Sequence, residues 1–562
     1  MEKIRHSISH IMAHAVKDIF KDVKFGIGPI IENGFYYDFD LKRTLTPEDL
    51  PKIEKRMKEL LKQNIEFKKK SISKTEAKKL FKNQPYKLEL INDLKTITIY
   101  SSGEFTDLCA GPHVKSTKEI PNAFKLLKIA GAYWKGDEKN PMLQRIYGTA
   151  FKTEKELKDY LEQQKEAEKR DHRLLGKNLD LFHIDEEVGP GLVLWHPKGA
   201  MLVRTIEDFW IKEHIKNNYD ILKTPHIGRK KLWQTSGHTD FYKENMFGPM
   251  EVEGDEYLIK PMNCPFAMKI YKEKLRSYRD LPLRWGELGT VYRYERSGVL
   301  HGLTRVRGFT QDDAHIICTP DQLENEILEA TKFGIRILKT FGFKNYKIYL
   351  ATKPEKSVGT DKNWGKATKT LKDVLKKLKL DYEVDPEGGV FYGPKIDIKI
   401  KDSLNREWQC TTVQFDFNLP ERFNMTYIDK KGTKQRPYMV HRALLGSIER
   451  FIGVLLEHYA GALPFWLSPI QINVLPISRT HRKYAKEIAE QLKDFRVELK
   501  DQDETLGKKI REAELQKIPY VIIIGDKEIK AKSISVRDRK KGDIGSMKLD
   551  KFLEIIINKN NN

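Results

Sequence analysis

Cysteine is scarce: four residues in 562, Cys109, Cys264, Cys318 and Cys410, far apart and with no CxxC spacing. That excludes a disulfide framework and a zinc ribbon, and points to a reducing compartment. Long apolar runs are lacking too. The most apolar stretches, around Phe451 to Leu456 and Tyr520 to Ile524, fall far short of the roughly 18 residues of a membrane span. His6, His10 and His14 interrupt the N-terminal segment and spoil the apolar centre of a signal peptide. These absences lead us to expect a cytoplasmic protein with no membrane partner. No internal repeat is visible, and the one low-complexity piece, the Asn/Lys tail at 559–562, is expected to fray.

What the chain has is length and positive charge. A chain of 562 residues exceeds one hydrophobic core, so three or four domains are expected. Lys and Arg outnumber Asp and Glu by 102 to 80. That excess fits a polyanionic partner such as nucleic acid, and equally a solvated lysine-rich surface.

Periodicity divides the chain. Residues 1–150 mix a helical start with Gly-rich, aromatic strand-like pieces. Residues 151–173 are highly charged, lack turn residues and carry Leu157 and Leu161 at helical spacing, which predicts a linker helix. From 174 to 464, apolar strand-like runs alternate with long helices, the pattern of an α+β domain on an antiparallel sheet. From 465 to 562, the order βαβαβ predicts a small, mostly parallel α/β domain.

Three segments of the third region carry the strongest chemistry. Phe209 to Ile227 reads as a helix and a strand ending near Pro225. Val291-Tyr-Arg293-Tyr-Glu295-Arg296 leads through a polar loop to Thr304-Arg305-Val-Arg307-Gly308-Phe309-Thr-Gln311-Asp-Asp313. Met439-Val-His441 through Gly446-Ser447-Ile-Glu-Arg450 reads as a strand entering a helix. In this order they resemble motifs 1, 2 and 3 of the class II aminoacyl-tRNA synthetases. Forming an aminoacyl-adenylate builds negative charge on phosphoryl oxygens, and the permanently charged fork of arginine suits it. The resemblance implies that Arg293 holds the α-phosphate and that Arg305 and Arg450 take the polyphosphate. It implies that Glu295 places the adenine, that Phe309 stacks on it, and that Mg2+ accompanies ATP. Singly, each is as readily a surface ion pair; their order is what is specific.

Cys264 within Pro261-Met-Asn-Cys-Pro265, His315 after Asp312-Asp313-Ala314, and His441 after Val440 form another set, the imidazoles read as lying at strand ends. Alone, each is more often structural. Together they are a three-ligand set that leaves zinc's fourth position open. MNCP, FTQDDAHI and HRALLGSIER are similar to the threonyl branch of the class, which implies one Zn2+ per chain, with ATP, L-threonine and tRNA(Thr) as partners. It further implies that Gln311, Asp313, Tyr392, Gln414 and Ser447 line the threonine pocket, and that Lys395 and Gln409 contact reactant or nucleotide. A hydrophobic pocket separates threonine from valine by only about 10²-fold. A metal that takes amino group and hydroxyl leaves a site unfilled with valine.

Serine offers the same two ligands and lacks one methyl, worth about 1 kcal/mol, so hydrolytic correction is needed. His6 and His10 stand at i and i+4 on one helical face, and Cys109-Ala-Gly-Pro-His113 adds a thiol and an imidazole in a turn. These resemble the HxxxH and CxxxH elements of threonyl and alanyl editing domains. The resemblance implies acid–base and water-positioning roles, with a second zinc site as the rival reading; His14 is read as structural.

The last domain resembles an anticodon-binding domain. Gly525 to Glu528 with Ile534 to Arg537 is expected to be a strand-loop-strand, with Lys517, Glu528 and Arg537 contacting tRNA. Motif 1 implies a homodimer. Relatives often carry a small β-rich domain ahead of the HxxxH helix, so tRNA affinity is expected to rest more on the linker and the C-terminal domain. A zinc-dependent hydrolase leaves the motif arginines unexplained, and a non-catalytic RNA-binding regulator usually loses them.

Overall fold

The computed structural model describes residues 1–560; of the 559–562 tail, the last two residues lie outside them. By compactness the chain forms two units, Met1–Glu166 and Ala167–Asn562.

In the first unit the helix Glu2–Ile19 buries Ile8, Ile11, Met12, Ala15 and Val16, an i, i+3, i+4 stripe. The stripe packs on Phe35, Tyr37 and Phe39 of the strand Gly34–Asp40 and on Ile53, Met57 and Leu60 of the helix Asp49–Lys62. Gly34–Asp40 joins Met142–Ala150 and Phe124–Tyr133 in an antiparallel sheet. A separate three-stranded sheet, Phe67–Ile72, Ile97–Ser102 and Phe105–Leu108, leads into the Cys109 turn.

The expected single linker helix is two helices, Glu154–Lys169 and His172–Asn178. Asp171 stops the first and caps the second, its carboxylate accepting from the Arg173 amide at 2.8 Å.

The second unit is built on eight strands ordered 220–221, 283–292, 308–318, 438–447, 407–416, 395–401, 346–351 and 383–385. The six inner strands pair antiparallel and the two outer ones parallel. Leu323–Thr340, Asp361–Lys377 and Ile448–Tyr459 cover one face with Ile327, Leu371, Phe451 and Leu455. At about 1.5–3 kcal/mol for each fully buried large aliphatic or aromatic side chain, this layer holds the sheet rigid beneath its other face.

The C-terminal sheet is ordered 497–499, 472–476, 520–524, 534–538, 542–547. Its first three strands are parallel, as the βαβαβ order requires, and the last two antiparallel. The segment after Gly525 is not a loop: Asp526–Ala531 is helical, because the Glu528 carboxylate reaches back to the Gly525 amide at 3.0 Å and caps it. Among the described residues no helix is long and apolar enough to cross a membrane.

Candidate functional site

The strand Gly308–Cys318 is the axis of the main site. Side chains alternate between the faces of a strand, so Phe309, Gln311, Asp313 and His315 share one face while Ala314, Ile316 and Cys318 enter the core. Antiparallel register then sets their neighbours. His315 stands opposite His441, His441 opposite Gln414, and Gln414 opposite Lys395, a row across four strands. The imidazoles therefore lie inside their strands and not at strand ends. Mid-sheet pairing is what brings them together, with ring centroids 5.1 Å apart.

Cys264 opens the helix Cys264–Tyr271, followed by Pro265, whose missing N–H costs nothing in a first turn. Its sulfur and one ring nitrogen from each of His315 and His441 lie within 4.8 Å of one another, all three residues buried. His315 Nε2 is buried without a hydrogen-bond partner. His441 Nε2 is 2.8 Å from Asp416 Oδ2, which leaves Nδ1 for the cluster. A bare buried imidazole nitrogen, a thiol, and an imidazole backed by a carboxylate fit the donor set of a divalent metal such as zinc. Burial, with Asp313 and Asp416 nearby, pushes the Cys264 thiol well up, so its ionisation needs a cation beside it.

Cys264 and His441 line a cavity of roughly 360 Å³ that Arg293, Phe309, Gln311, Asp313, Tyr392, Gln409, Gln414, Ser447 and Arg450 also line. The Arg293 guanidinium lies 5.1 Å from the Phe309 ring centre and 5.6 Å from that of Tyr242. Tyr392 donates to Gln414 Oε1 at 2.5 Å. Gln311 Oε1 is buried and unpartnered, an unused acceptor on a residue that lines the cavity. Ser447 caps the helix through the Arg450 amide at 3.2 Å. Glu295 and Arg305 stand on the loop beside the cavity, joined at 2.9 Å, and Lys395 is held by Asp397 at 2.7 Å.

Several residues here escaped the sequence reading. Asn263 donates to Asp313 at 3.2 Å, in space that exists because residue 289 is glycine; a Cβ there would stand 2.4 Å from the carboxamide. Asp397 gathers Lys395, Gln409 at 2.8 Å and Thr412 at 2.7 Å. Asp397 and Asp416 each lie two residues past an assigned residue, Lys395 and Gln414, and that same-face spacing is the signal that could have found them. Tyr242 sits among short helical turns where no periodicity marks it.

In the first unit, the helix face and the turn after Leu108 converge as expected. The ligand atoms of His6, His10, Cys109 and His113 lie within 4.8 Å of one another. Cys109 Sγ is 3.4 Å from His6 Nε2 and 3.3 Å from His113 Nε2. His6 Nδ1 meets the Pro112 carbonyl at 3.2 Å, and Ser7 Oγ meets His113 Nδ1 at 3.1 Å. Burial pushes the Cys109 thiol up to about 11. It lowers His6 and His10, and, with the neighbouring imidazoles His10 and His6, brings His113 down to about 2. At neutral pH the set is a thiol among neutral imidazoles. His14 stacks on Phe105 at 5.8 Å, a packing contact as expected.

In the C-terminal sheet, Glu528 caps its helix, Arg537 is 3.8 Å from Glu514, and the Lys517 carbonyl accepts from Arg539.

Comparison with known proteins identifies the domains that carry these residues. Residues 247–459 match the tRNA synthetase class II core domain (G, H, P, S and T), 471–559 an anticodon binding domain, and 97–147 the threonyl and alanyl tRNA synthetase second additional domain. The chain is 54% identical to a threonine–tRNA ligase of Sulfurihydrogenibium sp., covering 100% of this chain and 89% of the relative. It is 55% identical to that of Borreliella burgdorferi, covering 99% and 97%. Among solved structures, the RNA binding domain of threonyl-tRNA synthetase from Cryptosporidium parvum is similar at 43% identity and a TM-score of 0.67, over 69% of this chain and 98% of that one. With its class II core, anticodon-binding domain and editing-associated domain, the chain belongs to the threonine–tRNA ligases.

Proposed function

We propose that threonine is selected at a zinc site made by Cys264, His315 and His441 and activated in the adjoining arginine-lined cavity. The observation that carries this reading is the convergence of the three donors, two of which, Cys264 and His441, line the cavity that also holds Arg293 and Arg450. Zinc, when bound, supplies open coordination positions for the amino group and β-hydroxyl of threonine, a demand valine does not meet. The protein's own groups do the rest. Asp313 and Tyr392 flank the amino-acid end, with Gln311, Gln414 and Ser447. Arg293 lies against the α-phosphate, where charge develops as the threonine carboxylate attacks and pyrophosphate leaves. Arg305 and Arg450 hold the β- and γ-phosphates with Mg2+, Glu295 and Phe309 take the adenine, and Lys395 and Gln409 contact reactant or nucleotide. The test is metal content: about one zinc per chain, with Cys264→Ala losing both the metal and threonine-dependent ATP–pyrophosphate exchange. Full exchange by a zinc-free preparation overturns the reading.

We assign residues 1–150 to editing, 151–173 to a linker, 174–464 to activation and 465–562 to anticodon binding, in a cytoplasmic homodimer joined through Phe209 to Ile227. A fully active monomer contradicts that interface. In the editing domain, His6, His10 and His113 are read as neutral groups that position water and move protons during hydrolysis of seryl-tRNA(Thr). Cys109 is a polar contact, because a thiol pushed up to about 11 is no nucleophile at neutral pH. Lys517, Glu528 and Arg537 are placed against the anticodon.

A further inference from the structure

We propose that His172 is a positioning residue for ATP, holding the turn that carries Arg305 through the Leu303 amide. The inference rests on the reading that Arg305 and Arg450 take the phosphates.

His172 begins the short helix His172–Asn178 and is wholly buried, 0% exposed. Its Nε2 accepts from the Leu303 amide at 2.9 Å. An acceptor at Nε2 places the ring proton on Nδ1, which donates to Glu457 Oε1 at 2.6 Å. The same oxygen accepts from the His172 amide at 3.1 Å, and the other carboxylate oxygen pairs with Arg406. Asp171, His172 and Glu457 offer donors within 4.8 Å of one another, yet both ring nitrogens are engaged, so the cluster is a relay and not a metal site.

Glu457 lies near the end of the helix Ile448–Tyr459, and Arg450 in its first turns. Arg450 Nε donates to the Thr304 carbonyl at 3.1 Å. Two consecutive loop residues are thus gripped from one helix, Thr304 directly and Leu303 through the imidazole. The turn closes on itself, His301 N to Arg305 O at 3.0 Å and Arg305 N to His301 O at 3.2 Å, so fixing Leu303 and Thr304 fixes the Arg305 backbone. Residue 302 is glycine with φ +47°, and a Cβ there would stand 2.2 Å from His172 Nε2. The ring and the turn are fitted to each other.

Amide side chains separate the two contacts. Asparagine reproduces a histidine Nδ1 and so keeps Glu457; glutamine reproduces Nε2 and keeps Leu303. ATP–pyrophosphate exchange is measured on the full chain with ATP and threonine varied in turn. His172→Asn and Gly302→Ala should each raise the ATP KM about tenfold, the scale of one lost hydrogen bond to a buried amide, with the threonine KM unchanged. His172→Gln should return it close to the parent value. Gly302→Ala carries the test if the buried variants fold poorly. Equal loss in the Asn and Gln variants makes His172 a structural filler and overturns the proposal, as does an unchanged ATP KM in the Asn and Gly302→Ala variants. Arg305→Ala is the parallel arm: if it too leaves the ATP KM unchanged, the assignment of the loop itself falls, and this inference with it.

Discussion

Asp416→Asn isolates the carboxylate behind His441. Asp416 is fully buried. Its Oδ1 accepts from the amides of Asn418 at 2.7 Å and Leu419 at 3.0 Å, and its Oδ2 faces His441 Nε2 at 2.8 Å. Asparagine fills the same volume and keeps its oxygen where two amides point, since the opposite flip sets an NH2 against both. The Oδ2 position then becomes a donor. His441 must accept there, which forces its proton onto Nδ1, the nitrogen left for the metal. Disturbing a carboxylate behind a liganding histidine costs about 10–100-fold in metal affinity, about 1.4–2.7 kcal/mol. Competition between the protein and a chelator for zinc should show that loss, with threonine activation falling alongside it while the ATP KM holds. The two amide bonds at Oδ1 survive, so the fold should persist. Unchanged zinc affinity in a folded Asp416→Asn protein refutes the tautomer argument and the assignment of His441.

In the editing domain, a His6→Ala/His10→Ala variant should charge threonine normally and accumulate seryl-tRNA. Clearance at the parent rate sinks that assignment, and clearance blocked by a chelator without loss of activation puts a second metal in place of acid–base chemistry. Removing residues 465–562 should abolish tRNA charging and largely spare threonyl-adenylate formation; equal loss of both means the domain is needed for folding. Acid should destabilise the second unit through His214, whose Nδ1 donates to the Trp210 carbonyl at 2.6 Å while Nε2 accepts from Arg442 at 2.7 Å. Burial and the Arg442 charge bring it down to about 2, below its unfolded value near 6.5. Its contribution is therefore complete above pH 6.5 and lost as the pH falls below that. At pH 5 the loss is about 2 kcal/mol, and His214→Gln, which keeps an acceptor for Arg442, should flatten melting temperature against pH between 7.5 and 5. Parallel curves for parent and variant refute it.

Much of the site was legible because strands repeat every second residue. Phe309, Gln311, Asp313 and His315 are spaced by two, so one strand assignment puts all four on one face. The HxxxH pair was legible for the equivalent reason in a helix. The C-terminal βαβαβ order also fixed its parallel strands. What failed were features settled by local hydrogen bonds. Asp171 divides the linker into two helices, and Glu528 turns an expected loop into a helix. His172 was not legible, because its partners Leu303 and Glu457 are distant in sequence, and Asp397 and Asp416 carried no mark beyond lying two residues past Lys395 and Gln414.

Face, then, follows from sequence, and register does not. Slipping the strands 308–318 and 438–447 by two residues would preserve every inward and outward side chain, yet place His315 opposite Met439 or Ala443 in place of His441. The pairing needs a pin that a slipped register lacks. Asp312, the one carboxylate on the apolar face of its strand, supplies it by accepting from the amides of Leu444, Leu445 and Gly446 at 2.8–2.9 Å. Burial raises Asp312 to about 6 against the pull of Arg442 and those three amides. A slip removes the bonds and leaves a buried carboxylate unsatisfied, a cost of several kcal/mol. The residue that most violates the alternating pattern is thus the one that sets which imidazoles meet, and it lies directly beside Asp313, whose side chain faces the opposite way into the cavity.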